Sequence, residues 1–325
     1  MSTFQIAISL PKNEHPITHR EQVLLIGSCF TEHIGKRLEQ IKMAAMLNPN
    51  GILFNPLSVA HALQSYIDER KYHQHDLFMQ DEIWHCWDFH SRFSHTDSKQ
   101  ALQQMNDSVG QAAQFIRRTD RLIITLGSAY QYYLKEDNIP VANCHRAPGA
   151  WFEKRLLPTE SIITALSDAL NNLLKIRPEL KIILTISPVR HLRDGVVENN
   201  RSKARLIEAV HHLTTVFPSC SYFPAYELVI DVLRDYRFYD IDMAHPNYAA
   251  TQFVWEHFSN TYFDAEMQQL SGQLQDITTA FNHRSRFPAT SAHKNFLKSY
   301  RRKIEQLAQK YPYINFDSER AYFNA

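Results

Sequence analysis

The stretch Val23-Leu24-Leu25-Ile26-Gly27-Ser28 decides the fold of this chain. Four consecutive apolar residues are typical of a short strand that is buried on both faces of a sheet. Gly27 and Ser28 follow at once, and residues 31–42 then have the apolar periodicity of a helix. The order of buried strand, tight turn and helix predicts the first unit of an alternating α/β fold.

The same order recurs along the chain. Further apolar runs predict strands at residues 43–47, 122–126, 181–186 and 220–224. Helical periodicity predicts helices at residues 58–70, 161–175, 200–216 and 248–258. Continuous apolar strands that alternate with helices predict a parallel sheet covered by helices on both faces, which is a three-layer, doubly wound α/β fold.

Two stretches fall outside this alternation. Residues 71–119 contain the His- and aromatic-rich segment WHCWDFHSRFSH, and we expect them to form an insertion that walls the site. The last part of the chain is polar and helical. We therefore predict an α/β domain over residues 1–262, with the insertion at about 71–119, and a helical C-terminal extension over residues 263–325.

The composition excludes several classes of protein. The chain has 325 residues, 44% hydrophobic and 21% charged, with a formal net charge of +1, as expected of a globular protein without a basic surface for nucleic acid. No apolar run is long enough to span a membrane, and the N-terminus does not resemble a secretory signal. Four cysteines without a CxxC pair are typical of reduced cytoplasmic proteins. We expect a cytoplasmic protein without cofactors; its oligomeric state is not readable from the sequence.

Ser28 is the first candidate for catalysis. It follows a buried strand and precedes a helix, whose first N–H groups and positive dipole end suit a nucleophile that generates an oxyanion. The alternative is that Ser28 caps the helix, which is a common role for serine. Cys29 is a rival nucleophile, since a thiolate at a helix N-terminus has a lowered pKa.

Asp242 and His245 are the second candidate pair. A carboxylate three residues before a histidine can orient the imidazole, which then takes a proton from a serine. Ser28 follows the first strand and the DxxH pair follows the last one. Both positions belong to the carboxyl edge of a parallel sheet, where such folds bind ligands, so we expect the three side chains to meet.

Several blocks of the sequence resemble the GSCFA-domain family, which is itself similar to the SGNH (GDSL-like) hydrolases. The opening motif is Gly27-Ser28-Cys29-Phe30, with threonine where the family name has alanine. The further blocks are residues 48–56, 90–95, 125–132, 187–206 and 223–246. The resemblance covers about residues 15–260 and implies a flavodoxin-like sheet of strand order 2-1-3-4-5 with a serine esterase site.

The resemblance also implies roles for individual residues. Ser28, Asp242 and His245 match the catalytic blocks, and Gly51 matches a glycine whose N–H helps to form the oxyanion hole. An asparagine that SGNH enzymes carry two residues after the third-block glycine is missing here, since the chain reads Gly127-Ser128-Ala129.

Other residues are candidates for the oxyanion hole or for substrate binding. We expect Gly127 and Ser128 to line the crevice, and Asn143 to replace the missing amide. His90, from the insertion, and His191, after the fourth strand, are candidates for the pocket wall. The expected substrate is a small O-acyl ester, with an O-acetyl carbohydrate as the family-level expectation.

Three alternatives remain at this point. Acyl transfer to another acceptor is as compatible with the motifs as hydrolysis. A binding protein that keeps the hydrolase fold without activity is a second alternative, motivated by the missing asparagine. A metal site built from His85, His90, His95 and Asp88, with His73 and His75 nearby, is the third, but histidines spaced by five do not share a helix face and no HExxH motif is present.

Overall fold

A computed structural model of the chain describes residues 6–324. The strands of this part of the chain are β1 Gln22–Gly27, β2 Ala44–Leu47, β3 Leu77–Gln80, β4 Ile83–Cys86, β5 Arg121–Leu126, β6 Tyr130–Leu134, β7 Pro140–Val141, β8 Phe152–Leu156, β9 Lys181–Ile186 and β10 Cys220–Phe223. The α-helices are α1 Cys29–Gln40, α2 Pro56–Ile67, α3 Ser98–Ile116, α4 Thr159–Ile176, α5 Val196–Val216, α6 Ala225–Glu227, α7 Tyr248–Tyr262, α8 Ala265–Asn282, α9 Ser291–Lys310 and α10 Asp317–Phe323, and a π-helix, Leu228–Leu233, continues α6.

Five strands form the central sheet in the order β2-β1-β5-β9-β10. Every neighbouring pair in this sheet is parallel. In the sequence of the central strands this order is 2-1-3-4-5, so the doubly wound, flavodoxin-like fold is confirmed. β1 and β5 lie side by side at the point where the strand order reverses, which is where a crevice opens in this fold.

The two faces of the sheet are covered by different helices. Leu24 and Ile26 of β1 face a cluster that includes buried residues of α2, α3, α4 and α5. Val23 and Leu25 face the opposite cluster, which includes residues of α1, α7, α8 and α9. The alternation follows from the period of two along a strand, and it produces the three layers.

The segment at 71–119 has two unlike halves. Its first half forms the β3–β4 hairpin, which lies outside the central sheet. Its second half is α3, whose apolar face, with Ala101, Met105 and Val109 buried, belongs to the main core. The segment therefore supplies part of a helical layer as well as loops at the edge of the site.

The C-terminal helices pack on the α1 face. Leu274 of α8, Ile304 of α9 and Phe323 of α10 are buried in the same cluster as Val23 of β1. The helical extension expected from the sequence is thus present, and it shares a core with the α/β layers. No helix within residues 6–324 combines the length and the apolar character needed to cross a membrane.

Candidate functional site

Ser28 lies at the carboxyl end of β1, in the turn that leads into α1. Its side chain is 1% exposed, and its backbone N–H donates to the carbonyl of Thr125 on β5 at 3.0 Å. The Ser28 hydroxyl oxygen accepts a long hydrogen bond of 3.3 Å from the N–H of Phe30. The capping role and the position expected of a nucleophile therefore coincide in one residue.

Asp242 and His245 are in direct contact. The imidazole Nδ1 lies 2.5 Å from Asp242 Oδ2, while Asp242 Oδ1 accepts the N–H groups of Ala244 at 2.9 Å and of His245 at 3.0 Å. The N–H groups of His245 and Ala244, and then the imidazole, lower the pKa of the Asp242 carboxyl to about 2. The carboxylate therefore holds the histidine through Nδ1 and leaves Nε2 for another partner.

The loop with this pair lies against the same edge of the sheet. The Arg190 N–H, just after β9, donates to the carbonyl of Ala244 at 3.1 Å. His33 on α1 is close enough for the charge of His245 to contribute to lowering the pKa of His33, which is mainly lowered by burial. Within residues 6–324, His245 forms no hydrogen bond with Ser28.

The candidate backbone donors of the oxyanion hole are already paired. The N–H of Gly51 donates to the Asn48 carbonyl at 2.7 Å. The N–H groups of Gly127 and Ser128 both donate to the Phe54 carbonyl, at 2.8 and 2.9 Å. In this conformation these three N–H groups stabilise the loops around Ser28. They are not free to bind a substrate oxygen.

The insertion reaches this edge through His90 and Arg92. A Cβ added to Gly51 would lie 2.2 Å from the Cβ of His90, so the two loops are in close contact. Arg92 forms an ion pair of 3.2 Å with Glu32 in the first turn of α1. Trp87 accepts the N–H of Ala142 at 2.8 Å through its carbonyl. The first half of the insertion thus packs on loops at the carboxyl edge of the sheet.

A cavity of about 420 Å³, here called the Phe54 cavity, opens at this edge. It is lined by Phe54, Ser128, Tyr130, Asn143, Arg190, His191 and Arg193, among others. Ser28 is not among the lining residues; the link between the cavity and Ser28 is Gly127, which precedes the lining residue Ser128 and whose added Cβ would lie 3.3 Å from the Ser28 Cβ. Three residues predicted from the sequence, Ser128, Asn143 and His191, line this cavity. The other predicted site residues lie outside its lining: Ser28, Gly51, His90, Gly127, Asp242 and His245.

Two of these residues have defined local contacts. Asn143 Oδ1 accepts the N–H of His145 at 2.8 Å, which turns its carbonyl oxygen back to its own loop. The ring of His191 packs edge-on against Phe54 at 5.6 Å. Burial, helped by the charge of Lys203, lowers the pKa of His191 to about 4. His191 is therefore a neutral ring at the cavity wall.

Sequence reasoning missed Lys203. Its side chain is 1% exposed, and its Nζ donates to the carbonyls of Gly127 at 2.7 Å and Ser187 at 2.6 Å. These carbonyls follow β5 and β9, beneath the crevice. Burial lowers the pKa of Lys203 to about 7. The sequence signal was a lysine at helical spacing from the apolar residues Leu206 and Val210, on a buried face that also carries the polar Asn199 and Ser202.

The geometry gives less support to the two alternative hypotheses, Cys29 as the nucleophile and a metal site in the insertion. Burial raises the pKa of the Cys29 thiol, which opposes formation of the thiolate. His85 stacks against Phe78, and Asp88 accepts from His61 at 3.0 Å. Among residues 6–324, no three His, Cys, Asp or Glu side chains are grouped as a metal site.

The fold and the site define a doubly wound α/β protein with a serine at the end of its first strand and a paired DxxH loop at the same edge. Residues 22–258 match the GSCFA family, and residues 274–325 match the C-terminal domain of GSCFA domain proteins. The chain therefore belongs to the GSCFA family, as the sequence resemblance implied.

Comparison with solved structures gives distant similarities. A carbohydrate esterase family 3 from Talaromyces cellulolyticus is 12% identical with a TM-score of 0.37, over 78% of this chain and 98% of the other. An acetyl esterase mutant with acetate ion is 14% identical with a TM-score of 0.36, over 78% and 99%. No curated protein matches the chain significantly.

Proposed function

We propose that this protein is a serine esterase in which Ser28 is the nucleophile, His245 the general base and Asp242 the residue that orients the histidine. The observation that carries the proposal is the 2.5 Å contact between His245 Nδ1 and Asp242 Oδ2 in a loop at the edge of the sheet that holds Ser28. An imidazole fixed in this way through Nδ1 has Nε2 available to take a serine proton.

The proposed reaction has two stages. His245 Nε2 takes the proton of the Ser28 hydroxyl as its oxygen bonds to the ester carbonyl carbon, and the alcohol leaves with that proton, which gives an acyl-enzyme. Water, deprotonated by His245, then attacks the acyl carbon; the bond between that carbon and the Ser28 oxygen breaks, His245 gives the proton to Ser28, and the acid is released. Transfer of the acyl group to another alcohol follows the same steps with that alcohol in place of water.

In this proposal the N-terminus of α1 stabilises the oxyanion. The positive end of that helix dipole lies next to the Ser28 oxygen. The N–H groups of Gly51, Gly127 and Ser128 contribute after rearrangement of the loops, because their present acceptors are protein carbonyls. Asn143 is the proposed amide donor from the cavity wall. The expected substrate is a small O-acyl ester, such as an O-acetylated carbohydrate.

The absence of a hydrogen bond between the half-exposed His245 and the buried Ser28 is compatible with a catalytic pair that has no substrate bound. The His245 side chain is 47% exposed, whereas Ser28 is 1% exposed. Catalytic hydrogen bonds are often long or poorly aligned before substrate binds. We therefore expect the ring to approach Ser28 when the ester occupies the crevice.

The test is labelling with a fluorophosphonate, followed by identification of the modified residue, together with turnover of p-nitrophenyl acetate. Ser28→Ala should abolish labelling and lower kcat by about 10³-fold or more, because the members of a triad act as a unit. The free energy of unfolding should fall by about 0.5–2 kcal/mol, the contribution of a helix cap.

Cys29→Ala is the matched control, since it changes the neighbouring residue of the same turn. It should keep both labelling and turnover. Full activity in Ser28→Ala would refute the proposed nucleophile. Absence of labelling and turnover in the wild-type protein would favour a binding protein on the hydrolase fold, the alternative that the paired backbone N–H groups support.

A further inference from the structure

The lining of the Phe54 cavity carries more positive than negative charge, with Lys154, Arg190 and Arg193 against Asp194. Lys154 and Asp194 both line the cavity and form an ion pair with each other. Arg190 and Arg193 also line it, and neither is in any ion pair among the described residues 6–324. Two guanidinium groups are therefore left without a counterion at the wall of a cavity of about 420 Å³.

Arg190 lies next to the loop that contains Asp242 and His245. Its guanidinium carbon is 4.5 Å from the centre of the Tyr239 ring, and its backbone N–H donates to the carbonyl of Ala244 at 3.1 Å. Ala244 directly precedes His245. The stacking on Tyr239 restricts the long side chain, so less conformational entropy is lost when the guanidinium binds an anion.

The size and chemistry of the cavity suit a small polar ligand. Cavities of about 300–1,000 Å³ hold small molecules, with a few polar groups that fix their orientation. Guanidinium groups bind carboxylates and phosphates through paired charged hydrogen bonds. The rings of Phe54 and Tyr130 supply apolar surface in the same cavity.

We propose that the substrate is an O-acyl ester whose alcohol portion carries a carboxylate or phosphate, and that this anion binds Arg190 and Arg193 in the Phe54 cavity. The inference rests on the proposed esterase function. The cavity wall connects to both halves of the candidate site: Ser128 follows Gly127, whose added Cβ would lie 3.3 Å from the Ser28 Cβ, and the Arg190 N–H donates to the carbonyl of Ala244, next to His245. In this proposal the ester group of the bound anion extends from the cavity towards Ser28.

A matched pair of esters tests this inference. 4-Acetoxybenzoate carries a carboxylate, and methyl 4-acetoxybenzoate is its neutral counterpart with the same acyl group. We expect the wild-type protein to favour the anionic ester by about tenfold or more in kcat/KM, since hydrogen bonds between charged groups are stronger than neutral ones. Arg193→Gln and Arg190→Gln should lower that ratio towards one.

Arg117→Gln is the matched control. Arg117 pairs with Glu69 on the surface and does not line the cavity, so this variant removes one positive charge elsewhere and should leave the ratio unchanged. High salt should reduce the preference in the wild-type protein, because salt screens exposed charges.

Binding separates this inference from the proposed function. In Ser28→Ala, calorimetry should show tighter binding of 4-acetoxybenzoate than of its methyl ester, whether or not the protein turns esters over. Equal affinity for the two esters would overturn the anion site. Turnover that depends on Ser28 but has no anionic preference would overturn it while leaving the esterase proposal intact. Equal losses with both esters in Arg193→Gln would also overturn it.

Discussion

The two halves of the candidate site are built in opposite ways. Ser28 is 1% exposed and is tied by its backbone to Thr125 of the neighbouring strand. Asp242 and His245 each have side chains that are 47% exposed, and Ile241 beside them is 98% exposed. The core fixes the position of the serine, whereas a few local hydrogen bonds fix the shape of the histidine loop.

This difference indicates where motion belongs in the site. Segments with few buried apolar contacts open at low free energy, while buried strands open only with the whole fold. If the proposed triad is correct, we expect the loop at 240–246 to be the half that moves towards Ser28 and the end of β1 to be the half that stays fixed. Predictions at each half test this division.

The largest expected effect on activity comes from substitutions in the exposed half of the site, the loop with Asp242 and His245. His245→Ala should lower kcat/KM for p-nitrophenyl acetate by about 10³-fold or more, because His245 is the proposed acceptor of the serine proton. Asp242→Asn should cost less, since the carboxylate orients and stabilises the imidazole without accepting the proton. The global free energy of unfolding should hardly change in either variant, since both side chains are half-exposed.

The pH dependence of activity is an independent test of the role proposed for the loop with Asp242 and His245. The pKa of Asp242 is about 2, so this carboxyl stays ionised throughout neutral pH and adds no limb to the profile. The acid limb of the activity profile should therefore come from the general base and not from Asp242. His33→Ala, a change on the adjacent α1, should keep that limb; an unchanged limb in His245→Ala would exclude His245 as the base.

The next effect is on the buried half. Gly27 has φ +138, and a Cβ added there would lie 2.1 Å from the Thr125 carbonyl oxygen. Gly27→Ala should lower the free energy of unfolding by about 3 kcal/mol or more, through backbone strain and overpacking between β1 and β5. Denaturation in urea measures the change.

Gly272→Ala is the matched control for that substitution. Gly272 lies within α8, and a Cβ added to it would have no neighbour within 4 Å. Alanine should stabilise this helix by about 0.5–1 kcal/mol. Equal effects of the two substitutions would show that the end of β1 is not held as tightly as the contact with Thr125 implies.

The smallest expected effect concerns Lys203, beneath the buried half. Its pKa is about 7 in the folded protein and near 10.4 for an unfolded chain. Between these values the unfolded state binds a proton that the folded state lacks, so the free energy of unfolding should rise with pH. The gain from pH 7 to 9 should be about 2 kcal/mol, and Lys203→Met should remove it.

Urea unfolding at several pH values measures this slope. Lys298→Met, on an exposed position of α9, controls for the loss of one lysine. A wild-type stability that is flat between pH 7 and 9 would mean that Lys203 keeps its proton in the folded state.

Local sequence patterns were sufficient to predict the structure wherever the interacting residues are close in sequence. The apolar runs identified all five central strands, and their order followed from the family resemblance. The pairing of Asp242 with His245 was also predictable, because a three-residue separation lets one carboxylate accept both the loop N–H groups and the ring.

Long-range contacts were not predictable in the same way. The Phe54 carbonyl accepts the N–H groups of Gly127 and Ser128 across more than 70 residues of chain. Lys203 lies under the carbonyls of Gly127 and Ser187 because α5 packs on β5 and β9. Such partners are set by how layers pack, and packing geometry leaves no periodic signal in a single sequence.

The sequence by itself determined the strand–turn–helix unit around Ser28 and the DxxH pair, since period and short spacing fix local structure. Only the tertiary structure decided which N–H groups remain free, where the uncompensated charges lie, and that α8, α9 and α10 share the core of the sheet. The physical reason is that burial and pairing depend on neighbours distant in sequence, which the fold alone brings together.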